Sequence, residues 1–231
     1  RFGIMPDIQK SLAREDPLSQ PPLVSVENLA FERDDTCLFE NIDLTVNAGD
    51  ILQIEGPNGS GKTTLLRLLT TALEPRSGFI RYRGQSVTAC RHEYLSDLLY
   101  VGHQPAVKLT LTAEENLRWM VAASAGSNNL SIQEALQLVG LSGYTDLPCY
   151  ALSAGQHRRV ALARLLMGQA KLWYLDEPFT AIDKQGVAFL ESCLQRHVDA
   201  GGAVVLSTHQ DLALGAVRKY KLEGQGRGLR S

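Results

Sequence analysis

One run of eight residues constrains this 231-residue chain more than any other: Gly56-Pro57-Asn58-Gly59-Ser60-Gly61-Lys62-Thr63 satisfies the pattern G-x-x-x-x-G-K-[ST]. An apolar run at residues 51–54 precedes it, and leucines at 65, 66, 69 and 73 follow at helical spacing. Strand, glycine-rich turn and helix in that order predict a βα unit of an α/β fold. The glycines let backbone amides approach the β- and γ-phosphates of a nucleotide, and a helix opening at Lys62 adds the positive end of its dipole. Lys62 brings a point charge to those phosphates and Thr63 a hydroxyl for Mg2+, with Thr64 next in the same turn. A glycine-rich turn alone would imply little. Flanked by strand and helix, it predicts a nucleoside triphosphate site.

The rest of the chain fits around that unit. Residues 23–49 alternate apolar and polar positions and close on Asn47-Ala48-Gly49, which predicts antiparallel strands. From about residue 110 to 168 the pattern turns helical. Thr112-Ala113-Glu114-Glu115 and Ser131-Ile132-Gln133-Glu134 both fit the capping box, in which a hydroxyl and a glutamate three residues on satisfy orphan amides reciprocally. After Ser131, Ile132, Ala135, Leu136 and Val139 fall on one helical face, and Gly140 supplies the stop. Apolar runs at 172–175 and 203–206 read as buried parallel strands, each opening onto polar residues at its carboxyl end. Between them Val187, Leu190, Leu194 and Val198 mark an amphipathic helix. The expected architecture is one α/β domain over residues 23–222, with an antiparallel β lobe at about 23–50 and a helical insert at about 105–165. Residues 1–22, with prolines at 6, 17, 21 and 22, read as a flexible leader in which Met5 is a candidate start, and residues 223–231 as a tail.

Several function classes drop out. Lys plus Arg number 23 and Asp plus Glu 25, a net charge of −2, so there is no electrostatic reason to expect a nucleic-acid partner. No window approaches the roughly 18 apolar residues of a membrane span, and the leader lacks the apolar run of a signal peptide. A cytosolic chain, or one docked on a membrane partner, is expected. Cys37, Cys90, Cys149 and Cys193 form no C-x-x-C pair and the five histidines show no ligand spacing, which favours reduced thiols over zinc or disulfides. The sequons at Asn58 and Asn129 are then chance matches.

Residues 172–177 form an apolar strand ending in Asp176 and Glu177. Side chains alternate along a strand, so the two carboxylates diverge and can serve two roles. Asp176 is expected to hold Mg2+, and Glu177 to orient and deprotonate the attacking water. Upstream, Leu152-Ser153-Ala154-Gly155-Gln156 opens a helix bearing Arg158, Arg159 and Arg164. Ser153 and Gly155 can present a hydroxyl and bare amides at that helix start, either as a simple cap or as a second anion site.

These five residues resemble the signature of the ATP-binding cassette (ABC) superfamily, and the resemblance runs from Leu23 to about Leu222. It implies a P-loop NTPase with a RecA-like core. Gln104, in His103-Gln104-Pro105, matches the loop glutamine that senses Mg2+; Asp183, in Phe179-Thr180-Ala181-Ile182-Asp183, matches the D-loop; His209 matches the switch histidine placed on the γ-phosphate and attacking water. The family pairs two copies head to tail, so that Ser153, Gly155 and Gln156 would close the partner's ATP site and one copy alone would hydrolyse slowly. One position departs from the family pattern. An aromatic normally stacks on adenine at about residue 33, where this chain has Arg33, with Phe31 two residues early; Arg33 could stack its guanidinium plane, Phe31 could do so after a shift, or Phe31 could belong to the core.

Within the superfamily the text is most similar to the ATP-binding subunits of bacterial cytochrome c maturation, on residues 31–34, 53–56, 101–105, 152–165 and 175–183. That likeness implies a peripheral ATPase on the cytoplasmic face of the inner membrane, driving integral permease subunits gripped near Gln104–Glu115, with haem handled by partners. The competing reading is a soluble, non-transport cassette such as an iron–sulfur cluster assembly ATPase, also one short domain.

Overall fold

The computed structural model describes residues 21–122 and 130–223. Residues 1–20 of the leader expected at 1–22, the sequon asparagine at 129, and residues 224–231 of the tail expected at 223–231 lie outside the described residues.

Strands β1 (Val24–Arg33) and β2 (Thr36–Val46) form an antiparallel hairpin. Its two-residue turn, Asp34 and Asp35, holds φ at 50° and 57°, the left-handed geometry that matches strand twist. Then come β3 (Ile51–Glu55), α1 (Lys62–Leu69), β4 (Ser77–Tyr82), β5 (Gln85–Ser86), α2 (Arg91–Ser96) and β6 (Leu98–Val101). The insert carries α3 (Ala113–Ala122) and α4 (Ile132–Leu138) and leads into α5 (Ala154–Met167). The chain closes with β7 (Leu172–Asp176), α6 (Lys184–Asp199), β8 (Ala203–Ser207) and β9 (Val217–Lys221).

Two sheets result. One is antiparallel in the order β2-β1-β4-β5, the other parallel in the order β6-β7-β8-β3-β9. The antiparallel lobe thus extends past residue 50, because the chain returns after α1 to pair β4 with β1, Val24 opposite Tyr82. Leu65, Leu66, Leu68 and Leu69 of α1 share one buried cluster with Val24, Val26 and Ile80 of the lobe and with Leu172, Tyr174 and Val205 of the parallel sheet. Helix α1 stops at Leu69, so Leu73 packs on that cluster from a loop rather than from the helix. β-Branched Thr70 and Thr71, the latter at φ 56°, end it. On the opposite face of the parallel sheet, Leu162, Leu165, Leu190 and Leu194 of α5 and α6 cover Trp173, Leu175, Val204 and Leu206.

The insert is a third cluster, in which Ala113, Leu117, Ala135 and Leu136 pack on Val160 and Ala163 of α5. Both capping boxes form: Thr112 and Glu115 exchange bonds of 2.9 and 3.1 Å, and Ser131 and Glu134 of 2.8 and 3.2 Å. Gly140 takes φ 77°, and the Leu141 amide returns to the Leu136 carbonyl at 2.8 Å, a six-to-one closure of α4. At the sheet's margins, β6 is four residues long, while β9 carries Arg218 on Asp50 and the Thr45 carbonyl and Lys219 on Glu55 at 2.7 Å. Among the described residues no helix is long and apolar enough to cross a membrane, the cysteines are free, and no three His, Cys, Asp or Glu side chains cluster as a metal site.

Candidate active site

The phosphate loop, Asp176, Glu177 and His209 lie at the carboxyl ends of β3, β7 and β8, the edge where parallel sheets place their ligands, whereas Gln104, also expected to be catalytic, stands apart past β6. The phosphate loop follows β3, with Gly56, Gly59 and Gly61 at φ 154°, 83° and 99°. Gly61 is required twice: its conformation is left-handed, and a Cβ there would lie 2.8 Å from Leu38 and 2.9 Å from Phe39, on the strand pressed against the loop. Pro57, Asn58 and Gly59 are exposed, whereas Ser60 is buried with its Oγ lacking a hydrogen-bond partner among the described residues. Lys62 opens α1, and its Nζ donates to the carbonyls of Gly56 at 2.8 Å and Pro57 at 3.2 Å, holding the ammonium over the loop. Thr64, half-buried, sits one residue further into the helix.

Thr63 Oγ1 donates to Asp176 Oδ2 at 2.8 Å, which joins the helix start to the end of β7. Asp176 is 1% exposed, and its other oxygen accepts from Ser207 Oγ at 2.7 Å. These hard oxygen donors suit Mg2+, which keeps water and phosphate as most of its ligands and needs only one or two protein groups. Gln104 does not join them: it is exposed, three residues past the end of β6, and makes no hydrogen bond among the described residues. The strand expected to carry both carboxylates ends at Asp176, so it is the turn beyond β7 and not strand alternation that aims Glu177, whose Oε1 lies 3.6 Å from His209 Nε2. Its backbone is left-handed at φ 49°, and its amide donates to both the carbonyl and the Oγ of Ser207 at 3.1 Å.

Ser153 caps α5 in a reciprocal box, its hydroxyl taking the Gln156 amide at 3.2 Å while Gln156 Oε1 takes the Ser153 amide at 2.8 Å. A Cβ on Gly155 would lie 2.6 Å from the Ala181 carbonyl, so glycine lets the helix start touch the segment leading to Asp183. Asp183 in turn caps α6 through the Gly186 amide at 2.9 Å and pairs with Arg159 at 2.9 Å. The Gly186 amide first, then the Arg159 guanidinium, hold its carboxyl below the usual carboxylate range. Ser153, Gly155, Gln156 and Asp183 therefore form one rim, and no hydrogen bond among the described residues ties it to the phosphate loop. Arg33 is exposed at the hairpin tip beside Asp34, whereas Phe31 is partly buried with its ring 6.3 Å from that of Phe39.

Three buried polar residues act here that the motifs alone do not reveal. Ser207 braces the Asp176 carboxylate and the backbone amide of Glu177. Gln53, 3% exposed in the middle of β3, donates through Nε2 to the carbonyls of Thr208 and Gln210 at 3.3 and 3.4 Å, one on each side of His209. Arg158 donates to main-chain carbonyls at the ends of β6 and β7. The signal for Gln53 was a polar residue inside the apolar run 51–54; Arg158 and Ser207 left none.

A parallel sheet with phosphate loop, acid pair and histidine at one end, flanked by a β lobe and a helical insert with its own serine-capped helix, defines an ATP-binding cassette. Residues 39–180 match the family model described as ABC transporter, and the chain belongs to that family. Among its relatives it is similar to the cytochrome c biogenesis ATP-binding export protein CcmA of Hahella chejuensis, at 52% identity over 204 residues covering 88% of this chain and 97% of that one. It is 54% identical over 184 residues to the protein of the same name from Pseudomonas putida KT2440, covering 80% and 88%. Of solved structures, an ABC transporter ATP-binding protein from Pyrococcus furiosus superposes with a TM-score of 0.73 at 28% identity, covering 86% of this chain and 96% of that one. A dimeric ATP-binding cassette in a post-hydrolysis state bound to ADP and Pi shares the fold, with a TM-score of 0.69 at 23% identity and coverage of 81% and 88%.

Proposed function

We propose that the chain is the ATP-hydrolysing subunit of a membrane ABC complex that serves cytochrome c biogenesis by export or by release of haem from a partner. The observation that carries this reading is 52% identity across 97% of a cytochrome c biogenesis export protein. The paired side chains Thr63–Asp176 and Glu177–His209 support it chemically, since they supply the polar groups ATP hydrolysis requires.

In this reading the amides of residues 56–63 and the start of α1 receive the β- and γ-phosphates, and Lys62 exchanges its two carbonyl partners for phosphate oxygens. Thr63 and Asp176, with Gln104 brought in on closure, would hold Mg2+, which when bound neutralises charge developing on the phosphates. Glu177 accepts the proton of the attacking water, and His209 steadies both carboxylate and γ-phosphate. Two copies pair head to tail, so that Ser153 and Gly155 of one present a hydroxyl and amides to the ATP held by the other. Adenine rests against Arg33, the group left exposed at the hairpin tip while Phe31 packs toward Phe39.

Integral permease subunits provide the membrane spans and handle haem, and this chain sits peripherally on the cytoplasmic face of the bacterial inner membrane. Exposed Leu109, Trp119 and Tyr150 on the helical insert support a docking surface there. The test is capture from detergent-solubilised membranes with Glu177→Gln protein and Mg-ATP, read by mass spectrometry. Multi-span proteins with a haem-handling partner are expected. Only soluble scaffold proteins would refute the reading.

A further inference from the structure

Arg158 stands in the second turn of α5 and is 2% exposed, yet its guanidinium makes no ion pair among the described residues. Main-chain carbonyls take its hydrogens instead. Nη1 donates to Gly102 at 2.8 Å, and Nη2 donates to Asp176 at 3.2 Å and to Glu177. One planar fork therefore joins three segments: the helix that Ser153 opens, the turn that carries the acid pair, and the exit of β6 two residues before Gln104. Burial pushes the Arg158 pKa down, and the charges of Asp176 and Glu177 oppose that fall. Burying a cation without a carboxylate partner is unfavourable for folding, so stability is a poor reason for this residue.

Glu177 has a conformation that needs holding. It is not glycine, yet its φ is 49°, a region that L-residues adopt only when their surroundings over-determine it. Its amide is fixed by Ser207 of β8, and its carbonyl accepts from Arg158 and from the Thr180 amide at 3.2 Å. Release of the carbonyl would let the peptide turn and swing the carboxylate away from His209.

We propose that Arg158 is a positioning residue for hydrolysis: it locks the backbone of Glu177 and the approach to Gln104 onto the signature helix, so that the base is aimed only while that helix is seated. This rests on the reading that Glu177 is the base. A lysine keeps the charge but presents one ammonium where a rigid fork spans carbonyls on two strands, so it should not substitute.

The test uses full-length chain carrying Arg158→Lys or Arg158→Met, with steady-state ATP hydrolysis, ATP affinity and thermal unfolding measured on each. Expected is a fall in kcat of roughly 10- to 100-fold in both, the scale of a misplaced reacting group, with ATP affinity within about twofold of the parent. Arg158→Lys combined with Glu177→Gln should lose less than about twofold beyond Glu177→Gln alone, because a positioning effect disappears with the group positioned. Parental kcat in the lysine variant, an equal loss of ATP affinity, or multiplicative losses in the double variant would each overturn the proposal. If the methionine variant does not fold, the lysine variant decides. Undiminished hydrolysis by Glu177→Gln alone would remove the base itself, a failure visible in the single variant and separate from any Arg158 result.

Discussion

Ser207→Ala removes one oxygen from the middle of the site and leaves the motifs untouched. In the parent, Ser207 Oγ donates to Asp176 Oδ1 at 2.7 Å, and Ser207 is fully buried. The Glu177 amide would keep the Ser207 carbonyl as acceptor at 3.1 Å, so the net loss is one hydrogen bond to a buried carboxylate. Such bonds contribute about 1.5–3 kcal/mol, and for a domain of this size each kcal/mol is worth about 2–4 °C, so Tm should fall by roughly 3–12 °C. The space vacated is smaller than the roughly 30 Å³ share of one water, so solvent cannot replace the lost donor. Asp176 then turns more freely about its remaining partner, Thr63, and the Mg2+ concentration for half-maximal hydrolysis should rise roughly tenfold, the usual scale for removing a group that orients a metal ligand. Circular dichroism melting and a Mg2+ titration of ATP hydrolysis read the two effects. A double-mutant cycle on stability with Asp176→Asn should give a coupling above about 1 kcal/mol. A Tm shift under about 1 °C with an unchanged Mg2+ midpoint would show that Ser207 does not hold Asp176.

Other outcomes follow from the same geometry. Lys62→Ala should weaken ATP binding by roughly 30-fold or more, from two charge-assisted bonds lost, and parental affinity in equilibrium dialysis would contradict the phosphate cradle. Ser153→Arg in a Glu177→Gln background should abolish the ATP-dependent dimer seen by light scattering while sparing ATP binding to the single copy; a normal dimer would refute the role across the pair. Burial pushes His197, stacked on Trp173 with ring centroids 3.7 Å apart, below the usual histidine pKa. The unfolded chain therefore takes up a proton near pH 6.5 that the folded chain resists, so stability falls as pH drops through that value. His197→Phe should flatten the decline in Tm between about pH 7.5 and 5.5, and an unchanged slope would exclude His197 as its source.

What was legible beforehand was whatever local geometry forces into composition. Gly61 had to be glycine because its φ is 99° and Leu38 crowds it. The acid pair was legible as residues, but not the left-handed turn that starts at Glu177, just past the end of β7. The capping boxes at Thr112 and Ser131 were equally local. The β lobe read short because its third strand returns from far along the chain, Val24 with Tyr82, and in β4 apolar Phe79 and Ile80 stand side by side, which hides the alternation. Leu73 kept the helical rhythm but not the helix, since Thr71 turns left-handed before it. Arg158 was opaque for a deeper reason: it serves main-chain carbonyls, which every residue owns and no sequence pattern marks. Whether Phe31 belongs to the core was not legible either, since its packing toward Phe39 is a contact between two strands.

The margins of the parallel sheet carry a consequence for handling the protein. A five-stranded sheet offers two open flanks on which a stranger's backbone could dock and start a chain of sticking molecules. Here one flank is only four residues long, and the other reads Val-Arg-Lys-Tyr-Lys, with Arg218 tied to Asp50 and Lys219 to Glu55. A newcomer on that strand would have to evict ion pairs and desolvate lysine before gaining a ladder bond. Replacing Arg218 and Lys219 by threonine and valine should leave the fold intact and make the chain self-associate on concentration, with the turbidity growing from the sheet's rim rather than from the ATP site.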